Sequence, residues 1–215
     1  MGMKKMMIYH DIGVSEKSFS WLIKNIPPIF SPQIVNACDI QNGILATADI
    51  FLIGGGADLP YCERLNGRGN ALIRHFVATG GVYVGICAGA YYGSSWVDFI
   101  GEGERICGVR ELAFFAGTAR GCLPELTQNH LYAPEHEQSQ AWLRLPEFPE
   151  ELFYYHGGCT FEPVSRAENV LAHYPTGAPA VISGHFGAGN YLLSGVHFEA
   201  RPHFALWAEI AALCG

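Results

Sequence analysis

The chain predicts an α/β fold: an open parallel sheet covered by helices on both faces, with a small antiparallel extension. Three observations predict it. Short apolar runs alternate with helix-patterned segments through the first half, the order that builds parallel strands joined by crossover helices. Two of those runs end directly in glycine-rich turns, Gly54-Gly55-Gly56 and Gly85-Ile86-Cys87-Ala88-Gly89, placed like the loops that leave the carboxyl ends of parallel strands. The 215 residues, 49% apolar and 15% charged, suffice for one substantial core.

Residues 5–10 read as the first strand and 15–25 as a helix, with Ser15 as N-cap because its hydroxyl accepts a first-turn N–H. Residues 34–37 form a short second strand, and the apolar run 49–53 a third. Between 67 and 79, Leu72, Ile73, Phe76 and Val77 share one helical face that ends at Gly80-Gly81. The run 81–86 is a buried strand, and small residues start a helix over 88–96, on which the helical spacing of Tyr91, Tyr92, Trp96 and Phe99 places them in the core. From 101 to 162 the texture changes to short β-like pieces (112–115, 141–145, 152–155), expected to form a β-rich insertion or flap. Residues 170–174, 180–184 and 190–196 read as strands, and 202–213 as a closing helix with proline near its first turn. No repeat or linker interrupts the pattern, so one domain over 1–215 is expected.

Composition excludes several classes. Thirteen basic and twenty acidic residues give a net charge of −7, and the basic ones are scattered, so no phosphate-tracking surface for nucleic acid is expected. Seven cysteines (Cys38, Cys62, Cys87, Cys107, Cys122, Cys159 and Cys214) are an odd number without Cys-x-x-Cys spacing, which favours reduced thiols over a disulfide framework. No apolar run approaches the ~20 residues of a membrane span, and the run after Lys4 and Lys5 is too short for a signal peptide. A cytoplasmic protein is expected, with no membrane or nucleic-acid partner; the low charge admits a homo-oligomer or a partner protein.

Three loops carry the chemistry. Cys87 sits where a buried strand turns sharply into a helix, a nucleophile elbow that lifts the thiol over the sheet edge and toward a helix N-terminus. The alternative is a buried thiol in a tightly packed turn. The missing side chains of Gly54-Gly55-Gly56 let backbone amides approach a reacting carbonyl, so that Gly55 and Gly56 with Ala88 form an oxyanion hole; a tight turn needing positive φ is the plainer alternative. After the last strand come His197 and Glu199, which project to one side about 6.5 Å apart if strand geometry continues. A cysteine nucleophile needs a base and a group that orients the base, and these two residues supply both. Asp58, Tyr91 and His156 are candidates to line a pocket. His130, Glu135, His136 and Glu137 lack the spacing of a metal site and read as a solvated loop, while His173, His185 and His203 stand alone. No metal is expected.

These residues also carry a resemblance. Gly-Ile-Cys-Ala-Gly at 85–89, the glycine loop at 54–56 and Gly-Val-His-Phe-Glu at 195–199 resemble the elbow, oxyanion loop and His-x-Glu of class I glutamine amidotransferase domains. Closer still, Gly-Gly-Gly-Ala-Asp-Leu-Pro-Tyr (54–61), Asn-Gly-Arg-Gly-Asn (66–70), Gly-Ile-Cys-Ala-Gly-Ala-Tyr-Tyr-Gly-Ser (85–94) and Arg-Glu-Leu-Ala-Phe-Phe-Ala-Gly (110–117) are similar to runs of the biotin-protein ligase N-terminal domain family. The resemblance implies a flavodoxin-like, class I glutamine amidotransferase-like scaffold and a Cys87, His197, Glu199 triad. It does not imply biotin ligation, whose catalytic domain is a separate module. Where glutaminases often follow the elbow with a His-Gln pair, this chain has Ala90-Tyr91, which implies a different substrate pocket. The expected function is a Cys-dependent hydrolase or amidotransferase-like enzyme acting on a small amide or acyl compound without a cofactor. A non-catalytic ligand-binding or regulatory module and a redox-responsive thiol protein are the alternatives.

Overall fold

The computed structural model describes residues 2–202 and 204–215, so His203 lies outside the described residues. The chain runs β1 (Lys4–Tyr9), α1 (Glu16–Asn25), β2 (Phe30–Val35), α2 (Ala37–Gln41), β3 (Ile50–Ile53), α3 (Asp58–Leu65), α4 (Arg68–Ala78), β4 (Val82–Ile86), α5 (Ala88–Gly93), β5 (Ser94–Gly101), β6 (Glu104–Val109), β7 (Phe115–Gly121), β8 (Gln140–Leu145), β9 (Phe148–His156), β10 (Cys159–Glu162), β11 (Glu168–His173), β12 (Pro179–Phe186), β13 (Gly189–Ser194) and α6 (Phe204–Leu213), with short 3-10 turns between some of them.

The main sheet has the order β11-β12-β13-β4-β3-β1-β2. Its five strands from β13 to β2 are parallel, and β12 and β11 add an antiparallel edge. The parallel strands are apolar without a break because both faces are covered. Met6, Ile8, Ile50, Leu52, Val84 and Ile86 pack with Leu22 of α1 and Leu206, Trp207 and Ile210 of α6. The alternate residues Met7, Tyr9, Phe51, Ile53 and Tyr83 pack with Ile40, Tyr61, Leu65, Ile73 and Val77 of α2, α3 and α4. A second sheet, β10-β7-β5-β6, is antiparallel except for the β5–β7 pair, and β8 and β9 form a hairpin.

Several boundaries differ from the sequence reading. The second strand begins at Phe30 and includes Pro32, which is tolerated because β2 is the sheet edge. Ala37 starts α2, where Asn36 and Asp39 cap each other reciprocally. Helix α3 escaped the reading because it follows three glycines and carries Pro60; a proline in the first turn costs no intrahelical bond. The helix after Cys87 stops at Gly93, not at residue 96, so Trp96 and Phe99 lie on β5. Trp96 stands opposite Val109 and is 43% exposed, so it is not core. The small sheet therefore starts before residue 101, and of 112–115 only Phe115 is in a strand. Among the described residues no helix is long and apolar enough to cross a membrane.

The elbow is crowded by backbone. A Cβ on Gly85 would lie 2.4 Å from Gly89 O, and one on Gly89 would lie 2.1 Å from Ile53 O. Neither neighbour can swing aside as a flexible side chain would. Gly89→Ala is expected to lower the unfolding free energy by about 1–3 kcal/mol, read as a reduced urea midpoint at unchanged slope; an unaltered midpoint would contradict this packing.

Candidate active site

Cys87 joins β4 to α5 with φ +50° and ψ −106°, a backbone conformation that an L-residue reaches only under constraint. Three bonds supply the constraint. The Cys87 N–H donates to Ser194 O at 2.8 Å, and the Cys87 carbonyl accepts from the Ala90 and Tyr91 amides at 2.9 and 3.0 Å. The first seats the elbow against the end of β13, the strand that leads to His197, and the other two tie it into the first turn of α5. The thiol is 7% exposed, and its sulfur lies 3.8 Å from His156 O.

The expected strand-like spacing of His197 and Glu199 is not what brings them together. Strand β13 ends at Ser194, the His197 N–H donates to Tyr154 O at 2.8 Å, and a 3-10 turn at Phe198–Ala200 folds Glu199 back. Through that turn, His197 Nδ1 donates to Glu199 Oε1 at 2.7 Å. Glu199 is fully buried, and its Oε1 also accepts from Ser18 Oγ at 2.7 Å. Ser18 Oγ in turn accepts the Gly55 N–H at 3.0 Å, and Asn25 Nδ2 donates to Glu199 O at 2.8 Å. Helix α1 thus orients the carboxylate from behind.

Ser18 and Asn25 were absent from the sequence reading. Their only signal is position: they share the inward face of α1 with Leu22, at spacings of four and three, where apolar residues are the norm.

Gly55 also changes role. Its amide is committed to Ser18, and a Cβ there would lie 2.5 Å from His197 Cε1, so the missing side chain makes room for the imidazole. Gly56 has φ +150°, and a Cβ would meet Gly13 O at 2.0 Å. The bonds that lock this turn to residues 13–15 use the Ser15 amide on Gly55 O and the Ala57 amide on Gly13 O, leaving the Gly56 amide out of them. Gly56 and Ala88 both line the cavity beside Cys87.

Burial by itself would push the His197 imidazole down. The Glu199 carboxylate, followed by the neighbouring Cys87, outweighs it and holds the ring well above the ordinary 6.5. Cys87 and His197 line one cavity, and Glu199 grips the ring at Nδ1.

The cavity measures about 400 Å³ and is lined by Cys87, His197, Gly56 and Ala88 together with all three of Asp58, Tyr91 and His156. Tyr91 donates to Gly157 O at 3.1 Å. Asp58 is paired with Arg110 Nε at 2.7 Å, both side chains buried. His156 Nε2 lies 3.2 Å from Ala133 O and 3.1 Å from Ser139 Oγ; burial first, then the His197 and Lys17 charges, depress this imidazole. A shallower depression of about 580 Å³ lies by Asp49 and Gly81, at the amino ends of β3 and β4 and away from these groups. His130, Glu135, His136 and Glu137 are exposed, and all seven cysteines are free.

The mostly parallel sheet with helices on both faces is a class I glutamine amidotransferase-like fold. A structural likeness agrees in fold: a crystal structure of a glutamine amidotransferase superposes with a TM-score of 0.67 over 97% of this chain and 98% of that one, at 15% identity. Residues 4–210 match the model of the family described as biotin-protein ligase, N terminal, and the chain belongs to that family. An uncharacterized protein of Chlamydia muridarum (strain MoPn / Nigg) is 33% identical over 223 residues, covering 97% of this chain and 85% of its own length. The biotin–protein ligase of Schizosaccharomyces pombe is 29% identical over 211 residues; this chain spans 33% of that enzyme's length. The fold alone names no activity, since a β-galactosidase from Bacillus circulans shares it over 32% of its chain at a TM-score of 0.52 and 14% identity.

The raised His197 value makes a pH-dependent forecast. A group protonated more readily in the folded than in the unfolded state adds stability that is full below the unfolded value near 6.5 and fades as pH rises through the folded value. Glu199→Gln is expected to bring the His197 titration down, read by NMR of the ring protons. The stability gap between wild type and variant should be widest below pH 6.5 and narrow above it; a titration unmoved by the substitution would refute the coupling.

Proposed function

We propose that this protein is a Cys-dependent hydrolase or amidotransferase-like enzyme acting on a small amide or acyl compound through Cys87, His197 and Glu199. The single observation that carries the reading is the His197 ring, held at Nδ1 by a fully buried carboxylate and lining the same cavity as the Cys87 thiol. A cysteine attacks as its thiolate, and His197 is the base assigned to take the thiol proton.

In the proposed reaction the Cys87 thiolate adds to the substrate carbonyl carbon, and the oxygen gains a negative charge that the Gly56 and Ala88 amides stabilise. The carbon–nitrogen bond then breaks as His197 gives its proton to the leaving amine, leaving a thioester on Cys87. Water attacks the thioester, His197 takes a proton from that water, and the acid departs with the thiolate restored. Glu199 holds the Nδ1 proton throughout and offsets the imidazolium charge, so the base stays in one tautomer. No step requires a cofactor.

A ligand-binding or regulatory reading has one observation of its own: a stretch similar to this chain makes up a third of a biotin–protein ligase, where it accompanies other sequence. The two readings separate on reactivity. An uncharged chloroacetamide is expected to alkylate Cys87, located by peptide mass spectrometry, and His197→Ala should slow that step by about 100-fold or more while melting as a folded protein. Equal rates in the two proteins would remove the base and leave the binding reading.

A further inference from the structure

The polar inventory of the cavity is lopsided. Its walls are largely apolar, from Leu59, Pro60, Val97, Phe99, Ile106 and Pro134, and among the described lining residues there is no Lys or Arg. Two carboxylates line it, Asp58 and Glu104. Asp58 is already neutralised from behind by Arg110. Glu104 is not: it enters none of the ion pairs among the described residues.

The nearby cations are engaged elsewhere, Arg105 on Asp98 at 3.0 Å and Lys17 on the Tyr154 hydroxyl at 3.1 Å and over the Trp21 and Tyr154 rings. Gly101, opposite Glu104 in the β5–β6 pair, has no Cβ; one placed there would lie 3.1 and 3.2 Å from Glu104 Cγ and Oε1, so the glycine gives this side chain its place at the cavity mouth. The Glu104 charge reaches the neighbouring wall: the Tyr132 hydroxyl is pushed up to about 12, by burial first, with Cys87 and then Glu104 adding to it.

We infer that the cavity selects an amide or ester with an apolar, ring-sized body and a cationic amine at its far end, with Glu104 as the specificity-determining partner of that amine. The inference rests on the proposed use of Cys87 and names the substrate class of that same site. A free amino acid amide such as glutamine presents a carboxylate that the lining meets with no Lys or Arg, the His197 ring being already held by Glu199, whereas an ammonium group finds an unpaired acid at the mouth. The apolar walls take the body between the two ends.

Three chloroacetamides of 4-substituted phenethylamine, bearing aminomethyl, methyl or carboxylate at the ring, test this. In each, the Cys87 sulfur forms a bond to the methylene carbon as the carbon–chlorine bond breaks and chloride leaves. At low salt the aminomethyl probe should label Cys87 about tenfold faster than the carboxylate probe, a ratio that shrinks as salt screens the pair. Glu104→Gln should bring the ratio close to one, and Glu104→Lys should invert it. Equal rates or the opposite order in wild type, or a ratio untouched by Glu104→Gln, would overturn the inference.

The methyl probe separates this from the catalytic reading, because its rate in wild type against His197→Ala reports on the base alone. If that comparison fails, the charge preference is still read on Cys87→Ser from equilibrium binding of 4-methylbenzylamine against 4-methylbenzoate, where the amine should bind several-fold tighter and parity would reject the inference.

Discussion

The candidate site depends on one buried carboxylate. Glu199 has no solvent contact, and stripping water from a charged group costs several kcal/mol unless neighbours replace the lost hydration. The replacement comes from Ser18 Oγ and His197 Nδ1, both on Oε1, while Oε2 has no hydrogen-bond partner among the described residues. Compensation through one oxygen leaves little freedom: α1 must present Ser18, the 3-10 turn must present Glu199, and the imidazole must meet the carboxylate at Nδ1 while lining the cavity with Cys87. Ser18 then extends the same constraint to the Gly55 amide. A single charge thus ties together the first helix, the glycine turn and the segment after the last parallel strand.

The second constraint is steric, and it acts on the other side of the imidazole. Gly55 lies against the His197 ring, Gly56 against the turn at Gly13, and Gly85 and Gly89 against backbone at the elbow. At Gly56, Gly85 and Gly89 the nearest neighbour is backbone, which cannot yield as a side-chain tip does, and at Gly55 it is a ring held by Glu199, so a Cβ at any of them strains the site. The glycines keep β3, β4 and their following turns close enough for the thiol, the imidazole and the Gly56 and Ala88 amides to border one cavity. In this protein the glycine loop serves first as clearance for the base, and only Gly56 of the expected pair remains with an amide outside the turn's own bonds.

The remaining cavity wall comes from outside the main sheet. Val97 and Phe99 of β5, Glu104 and Ile106 of β6, and Tyr132 and His156 close over the elbow, so the small sheet and the β8–β9 hairpin decide what can enter. The parallel sheet belongs to a scaffold with many uses, whereas the small sheet carries the features that give this pocket its apolar and acidic character. Family membership accounts for the first and does not specify the second.

By itself the sequence determined what short-range chemistry determines. Unbroken apolar runs made buried parallel strands, Ser15 capped α1, and the glycines flanking Cys87 marked the elbow, because each of these signals is read within a few neighbouring residues. It also supplied Cys87, His197 and Glu199 as candidates, and Asp58, Tyr91 and His156 as wall residues, since short motifs carry residue type and spacing. Only the tertiary structure decided how those groups meet. Ser18 and Asn25 read as ordinary polar residues on a helix until α1 packs against the turn at Phe198–Ala200, and Gly55 reads as an amide donor until an imidazole from more than a hundred residues away occupies the space beside it. Trp96 and Phe99 fit a helical period as well as a strand period, and pairing with β6 and β7, contributed by later sequence, settled which prevailed. The physical reason is common to all of these: hydrogen bonds and steric exclusion between distant segments act only after the chain has brought those segments together.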